Sequence, residues 1–196
     1  MNLIYATVLG YLFGSIPFGL LLTRAAGLGD VRQIGSGNIG ATNVLRMGSR
    51  WIAGLTLFLD MLKGFVPVLV AARVWDGDAA IGAAAGALAG HILPVWLRFK
   101  GGKGVATYIG ALAGLYWPLA ILFVFVWLIV AAGSRMSSLS ALAATAVVTA
   151  TSFAVAPGHL PIALCIIAIV IFIAHRANIL RLLRNQEPTI DFSKKA

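Results

Sequence analysis

The run Ser36-Gly37-Asn38-Ile39-Gly40-Ala41-Thr42-Asn43-Val44-Leu45-Arg46 is small, polar and rich in hydrogen-bonding groups, in a chain that is 60% hydrophobic. Counted from Gly35, it reads Gly-x-Gly-x-x-Gly, the spacing of a dinucleotide-binding loop, with Asp60 standing downstream like a ribose-binding acid. Context excludes that use. The fingerprint needs a buried strand before it and a βαβ unit around it, whereas here Gly-Asp-Val-Arg-Gln precedes it and a long apolar stretch follows. The local chemistry survives. Gly35, Gly37 and Gly40 allow a tight path along which successive N–H groups face an anion. Ser36, Asn38, Thr42 and Asn43 add donors, and Arg46 adds a planar fork matched to phosphate oxygens. The plainer use of the same residues is a solvated turn with an orienting arginine.

A second stretch, Phe99-Lys100-Gly101-Gly102-Lys103-Gly104-Val105-Ala106-Thr107, sets three glycines around two lysines. Lysine supplies compact positive charge and glycine lets a backbone approach a ligand, so Lys100, Gly101, Gly102, Lys103 and Gly104 are candidates for anion binding. No Ser or Thr follows Lys103, which excludes a Walker A loop, and a helix starting just after it would turn its N-terminus toward the same anion. The third stretch is His175-Arg176-Ala177-Asn178, with His175 and Asn178 three apart and therefore on one helical face. Ser137, Ser138 and Ser140 follow Arg135 at another helix start, where Ser138 could add a donor and N-capping is the simpler use. Asp60 and Lys63, at i and i+3 inside an apolar segment, should pair or line a polar cavity. His91 is a further possible contributor, and His159 is expected on the opposite face. No grouping has metal-ligand spacing, so neither a metal nor a cofactor is expected, and no nucleophile has an evident base and orienting acid.

These loops must be carried by membrane helices. Only 11% of the 196 residues are charged and the mean hydropathy is +0.96, far from a soluble domain. Apolar windows near 3–23, 51–74, 79–97, 139–156 and 161–174 are each read as a crossing, and Tyr116-Trp117-Pro118 interrupts a further run between Gly104 and Gly133. Charge chooses between one kinked helix and two there. If the run is two short helices, around 105–117 and 119–133, there are seven crossings, and every Lys and Arg except Lys63 and Arg73 falls on one side. The positive-inside rule then places the N-terminus outside, the C-terminus in the cytoplasm, and all three polar stretches on the cytoplasmic face. The fold expected is an all-α polytopic membrane protein forming a single domain over 1–196. The excess of 15 Lys and Arg over 6 Asp and Glu is thus a topology signal rather than a nucleic-acid footprint. The single cysteine, Cys165, excludes a disulfide framework.

The stretches SGNIGATNVLR, KGGKGVAT and HRANILRLL, in this order, resemble those of the bacterial acyl-phosphate-dependent glycerol-3-phosphate acyltransferases, the PlsY family. The likeness extends to GSIPFG from Gly14, to DxxKG from Asp60 to Gly64, and to GHxxPVWLxFKGGKGVAT from Gly90 to Thr107. One departure is visible: that family reads Gly then Glu after the third stretch, and here Asn185-Gln186 precedes Glu187. The resemblance implies transfer of a fatty acyl group from acyl phosphate to the 1-hydroxyl of glycerol 3-phosphate, giving lysophosphatidic acid and phosphate, in phospholipid biosynthesis. It implies a site at the cytoplasmic face of the bacterial inner membrane, with Ser36, Arg46, Lys103, His175 and Asn178 carrying the reaction. It also explains why a membrane protein would carry phosphate-cradling loops, since both substrates bear phosphate and one carries an acyl chain. Membrane lipid, but no nucleic acid, is the expected surrounding, and a monomer the expected state. The alternatives are an organic-phosphate transporter, which should show internal repeats and broken helices near the midplane, and a non-catalytic scaffold.

Overall fold

A computed structural model describes residues 1–190; Lys194 and Lys195, counted above among the cytoplasmic charges, lie outside them. The described residues are helices, turns and loops without strands, in two compact units, Met1–Leu115 and residues 116–190.

The first unit begins with an apolar segment broken in the middle, α1 (Asn2–Gly14) and α2 (Phe18–Ala25). Pro17 lacks an N–H and disfavours helical geometry at Ile16, which is why the helix breaks at Ser15-Ile16-Pro17. The short helix α3 (Ala41–Arg46) follows the first polar loop. Next come α4 (Arg50–Val74), capped by Ser49 Oγ accepting from Ile52 N–H at 3.3 Å, and α5 (Gly77–Ile92), capped by Asp76 accepting from Ala79 N–H at 2.7 Å. Between membrane helices there is little hydrophobic drive, so association depends on small residues that let backbones close up. Gly14 of α1 lies on the Ala87 carbonyl, and Gly86 of α5 on the Thr7 carbonyl; a methyl at either would strike backbone. Ala6, Val68, Ala71, Ala83, Ala84 and Ala111 fill the core beside this seam. A second cluster, Leu20, Val31, Ile39, Val44 and Ala53, sits beneath the first polar loop, with Leu97 packed against it.

Helix α6 (Val105–Ser134) carries the expected interruption, at Tyr116 (φ −159°, ψ 87°), two residues before Pro118. Residues 105–115, at 1.5 Å per residue, reach roughly half of the about 30 Å of hydrocarbon, so a separate crossing there needs the bilayer to thin locally. The second unit continues through α7 (Ser137–Val155), α8 (Leu160–Ala174) and α9 (Arg176–Leu183). Among the described residues, five segments are long and apolar enough to cross: Asn2–Ala25, Arg50–Val74, Gly77–Leu97, Val105–Ser134 and Ser137–Val155. The pair α8 and α9, bent by 64° at His175, makes a sixth if taken as one span. One face of α8 exposes Ile162, Ile166, Ile169 and Ile173, as a lipid-facing helix should.

Candidate active site

The first loop is built on apolar anchors. Val31, Ile39 and Val44 are buried, and the Ile39 carbonyl rests on Gly19 of α2, where a methyl would collide with it. Asn43 staples the arch from inside: its Nδ2 is shared among the carbonyls of Val31 (2.8 Å), Ile34 (3.1 Å) and Asn38 (2.8 Å), while its Oδ1 accepts from Ser36 N–H at 3.2 Å. Asn38 Oδ1 likewise accepts from Gly40 N–H at 2.8 Å. Both asparagines, expected among the ligand contacts, are thus engaged in shaping the loop. Ser36, Gly35, Gly37 and Arg46 are left on its exposed side, and Thr42 is half-buried in α3. A methyl at Gly35 would collide first with Asn43 Oδ1 and stand 3.1 Å from Arg46 Cδ, so the bare backbone there makes room for the Asn43 staple and for the arginine next to it.

Just upstream, Asp30 accepts from Arg32 N–H (3.0 Å), Arg32 Nε (2.9 Å) and Nη2 (2.6 Å), and Arg24 Nη2 (3.0 Å). The Arg32 guanidinium is the largest cause holding the Asp30 carboxyl well below the usual range, and Asp30 raises Arg32 in return. Two of the cations read above as orientation signals therefore brace the entry to the loop.

The second loop folds back on α5. Gly101 and Gly102 donate their N–H groups to the carbonyls of Ile92 (3.1 Å) and His91 (2.9 Å), capping α5, so the close approach these glycines permit is to that helix. Arg98 and Phe99 take left-handed backbone (φ 53° and 61°) to make the reversal, and Gly104 (φ 82°) turns the chain into α6. Each left-handed non-glycine residue costs about 1–2 kcal/mol, which the four loop hydrogen bonds from Phe99, Lys100, Gly101 and Gly102 help offset. Lys103, half-buried, stands at the N-terminus of α6, and Lys100 is exposed. Because Leu97 packs on the apolar cluster under the first loop, both glycine-rich loops rise from the same end of the first unit.

In the second unit, His175 is 1% exposed and its Nδ1 lies 2.8 Å from the Ile171 carbonyl. A carbonyl can only accept, so Nδ1 carries a proton, and in the neutral tautomer that leaves Nε2 as the acceptor. Ser138 Oγ and Asn178 Nδ2 both donate to Glu187 Oε1 at 2.6 Å, and Arg181 Nε donates to Oε2 at 2.8 Å. Burial alone would raise the Glu187 carboxyl, but these donors and the Arg181 charge outweigh it and hold the group below its ordinary value. An ionised carboxylate accepts only, which fixes the Asn178 amide: its NH2 faces Glu187 and its Oδ1 points away. That buried Oδ1 has no hydrogen-bond partner among the described residues. An apolar groove of about 580 Å³ adjoins Glu187, lined by Met136, Leu139, Leu142, Phe172, Ile179 and Leu182.

Glu187, the partner of two candidate site residues, Ser138 and Asn178, is passed over by a search for clustered chemistry. It is the only glutamate in the chain, three positions after the last of Arg176, Arg181 and Arg184, which follow a long apolar run, and that scarcity was the available signal. Asn185, standing where the resembled family has glycine, adopts φ 54°, and Gln186 N–H bonds to the Arg181 carbonyl at 2.8 Å. Asparagine is the residue that best replaces glycine in this helix-ending geometry, so the tail still brings Glu187 to Asn178.

The fold and these loops define an all-helical integral membrane protein that presents glycine-rich, cationic segments suited to phosphate. Residues 4–185 match the family model described as glycerol-3-phosphate acyltransferase. The chain belongs to the glycerol-3-phosphate acyltransferase family and is a membrane enzyme of that family. It is 55% identical to the glycerol-3-phosphate acyltransferase of Brucella anthropi over 97% of its own length and 94% of the relative's. Its identity to that of Mesorhizobium japonicum is 54%, over 96% of both chains. Among solved structures it resembles PlsY (YgiH), an integral membrane glycerol 3-phosphate acyltransferase, in its glycerol 3-phosphate form (TM-score 0.91, 35% identity, 97% and 96% of the two chains). The lysophosphatidic acid form of that protein matches with TM-score 0.89 and 34% identity, over 96% and 95%.

Proposed function

We propose that this enzyme uses acyl phosphate as donor and transfers the acyl group directly to the sn-1 hydroxyl of glycerol 3-phosphate, releasing lysophosphatidic acid and phosphate without an acyl-enzyme. The observation that carries the reading is the pair of cationic glycine-rich loops, with Ser36 and Arg46 on one and Lys103 on the other, rising from one apolar cluster of the first unit. Two phosphate-bearing substrates call for two such loops. Ser36, Arg46, Lys103 and the loop backbones hold phosphate oxygens; a hydrogen bond to a charged partner is worth about 1.5–3 kcal/mol. His175 and Asn178 are assigned to the same reaction on the strength of the family's motifs, and the orphaned Asn178 Oδ1 suits a hydroxyl donor such as glycerol. The groove in the second unit offers the acyl chain an apolar bed.

The hydroxyl oxygen attacks the acyl carbon, the bond from that carbon to the bridging oxygen breaks, and phosphate leaves with the electron pair. The donor is already activated, so proximity and charge neutralisation supply most of what the protein contributes. The hydroxyl proton passes to the departing phosphate. The Ile171 carbonyl at His175 Nδ1 orients the ring, and the role assigned to it is to hold the hydroxyl through Nε2. His175→Gln therefore keeps measurable single-turnover chemistry; complete loss with unchanged glycerol 3-phosphate binding would make His175 the base. By the same reading the chain is one membrane domain of seven crossings, monomeric, in the bacterial inner membrane, N-terminus outside and polar loops in the cytoplasm. Purified protein in liposomes should form lysophosphatidic acid from glycerol 3-phosphate and palmitoyl phosphate and pass no glycerol 3-phosphate when the donor is omitted. Flux without product would favour a transporter.

A further inference from the structure

Three ionisable side chains inside the first unit take no part in that chemistry: Asp60 and Lys63 of α4 and His91 at the end of α5, each no more than 3% exposed. Polar groups at such depth are costly and call for a use. Lys63 Nζ lies 2.7 Å from Asp60 Oδ1 and donates to the Ile16 carbonyl at the α1–α2 break, also at 2.7 Å. His91 Nδ1 stands 3.9 Å from Asp60 Oδ1 and 3.2 Å from Thr107 Oγ1, in the first turn of α6. Above it the His91 carbonyl accepts from Gly102 N–H, and the imidazole Nε2 occupies the space that a Gly102 side chain would fill. One residue thereby touches the loop before Lys103 and the helix after it. Gly104, on the other side of Lys103, is wedged against Leu88 of α5.

We propose that His91 is a positioning residue for glycerol 3-phosphate: backed by Asp60 and Lys63 and joined to Thr107, it sets the backbone on both sides of Lys103 and so aims that cation at the substrate phosphate. The proposal rests on the assignment of Lys103 to phosphate binding made above. A residue held in place by packing and hydrogen bonds in this way gives a loop the preorganisation that a flexible glycine run lacks.

The test is steady-state kinetics of the purified enzyme in lipid nanodiscs, with both substrates varied, alongside thermal unfolding of each variant. His91→Leu and Thr107→Val should raise KM for glycerol 3-phosphate at least tenfold, with kcat changed less than threefold and KM for palmitoyl phosphate little altered. His91→Asn, whose amide can stand where Nδ1 stood, should restore most of the affinity lost in His91→Leu. Because it also vacates the ring's place, adding Gly102→Ala should harm His91→Asn less than it harms the parent enzyme, a non-additivity expected only if the two groups meet. A fall in kcat with KM unchanged, activity that merely tracks the folded fraction, or additive effects of the two changes would overturn the proposal. Should His91→Leu fail to fold, Thr107→Val and the His91→Asn pair decide. Lys103→Ala separates the two layers: an unchanged KM there removes the phosphate assignment itself, whereas a raised KM with normal His91 and Thr107 variants removes only the role of His91.

Discussion

A guanidinium and an ammonium carry the same charge, yet the position of Arg46 beside the bare backbone of Gly35 suits the planar fork in particular. Arg46→Lys should lower kcat/KM by roughly tenfold to a hundredfold, as expected for losing one charge-assisted pair of bonds; near-normal turnover of the purified variant would remove Arg46 from the phosphate clamp. Glu187 makes a pH prediction. Its folded-state carboxyl lies below its ordinary value, so the stability it contributes is present above that ordinary range and is lost as pH falls through the depressed value. Thermal unfolding of the parent should therefore be flat from neutrality to about pH 5 and weaken below, whereas Glu187→Gln should begin weaker at neutral pH and show a shallower acid decline. At Asn185, glycine should be tolerated and valine should cost about 1–2 kcal/mol, the price of left-handed backbone; equal stability of the two variants would contradict the helix-end reading. Ser36, Arg46 and Lys103 stand out in the sequence because their residue types suit anion chemistry in an apolar chain, whereas His175 and Asn178 enter as candidates through the family resemblance. Glu187 was not legible, since its meaning depends on Ser138 being brought from 49 positions away.

At the scale of elements, hydropathy located the long helices because each must satisfy its backbone internally and cover itself with apolar side chains. The break at Tyr116 was legible from Pro118. The 64° turn between α8 and α9 was not: Ala174-His175-Arg176 contains neither glycine nor proline, and the turn shows in the backbone of His175 (φ −94°, ψ 6°), whose N–H reaches both Ile171 and Phe172 carbonyls. The GSIPFG stretch, cited in the sequence only for the family likeness, serves packing in the structure. Ser15 Oγ accepts from Trp96 Nε1 at 2.9 Å, the Ile16 carbonyl takes Lys63, and Gly14 and Gly19 admit the Ala87 and Ile39 carbonyls. Gly86→Ala, which sets a methyl against the Thr7 carbonyl at the α1–α5 seam, should destabilise the protein by about 1–3 kcal/mol. Gly54→Ala in α4, where nothing lies within 4 Å, should not; comparable losses in the two would mean the seam is not tightly packed.

For the whole molecule, charge distribution gives an orientation that can be read chemically. In a Cys165→Ala background, a cysteine placed at Asp78 should react with a membrane-impermeant thiol reagent on intact cells, and one at Arg98 only after the membrane is opened; the reverse pattern would invert the proposed topology. In the proposed reaction the acceptor comes from the aqueous phase while the donor's acyl chain stays in lipid, so the face that carries the polar loops decides which pool of acceptor is used. The central claim is narrower, that an acyl phosphate is the donor. It is tested most directly by giving the purified enzyme glycerol 3-phosphate with either palmitoyl phosphate or palmitoyl-CoA, and measuring lysophosphatidic acid and released phosphate together. The account predicts product from palmitoyl phosphate alone, with one phosphate released per lysophosphatidic acid formed. Product from palmitoyl-CoA, with none from palmitoyl phosphate, would contradict it.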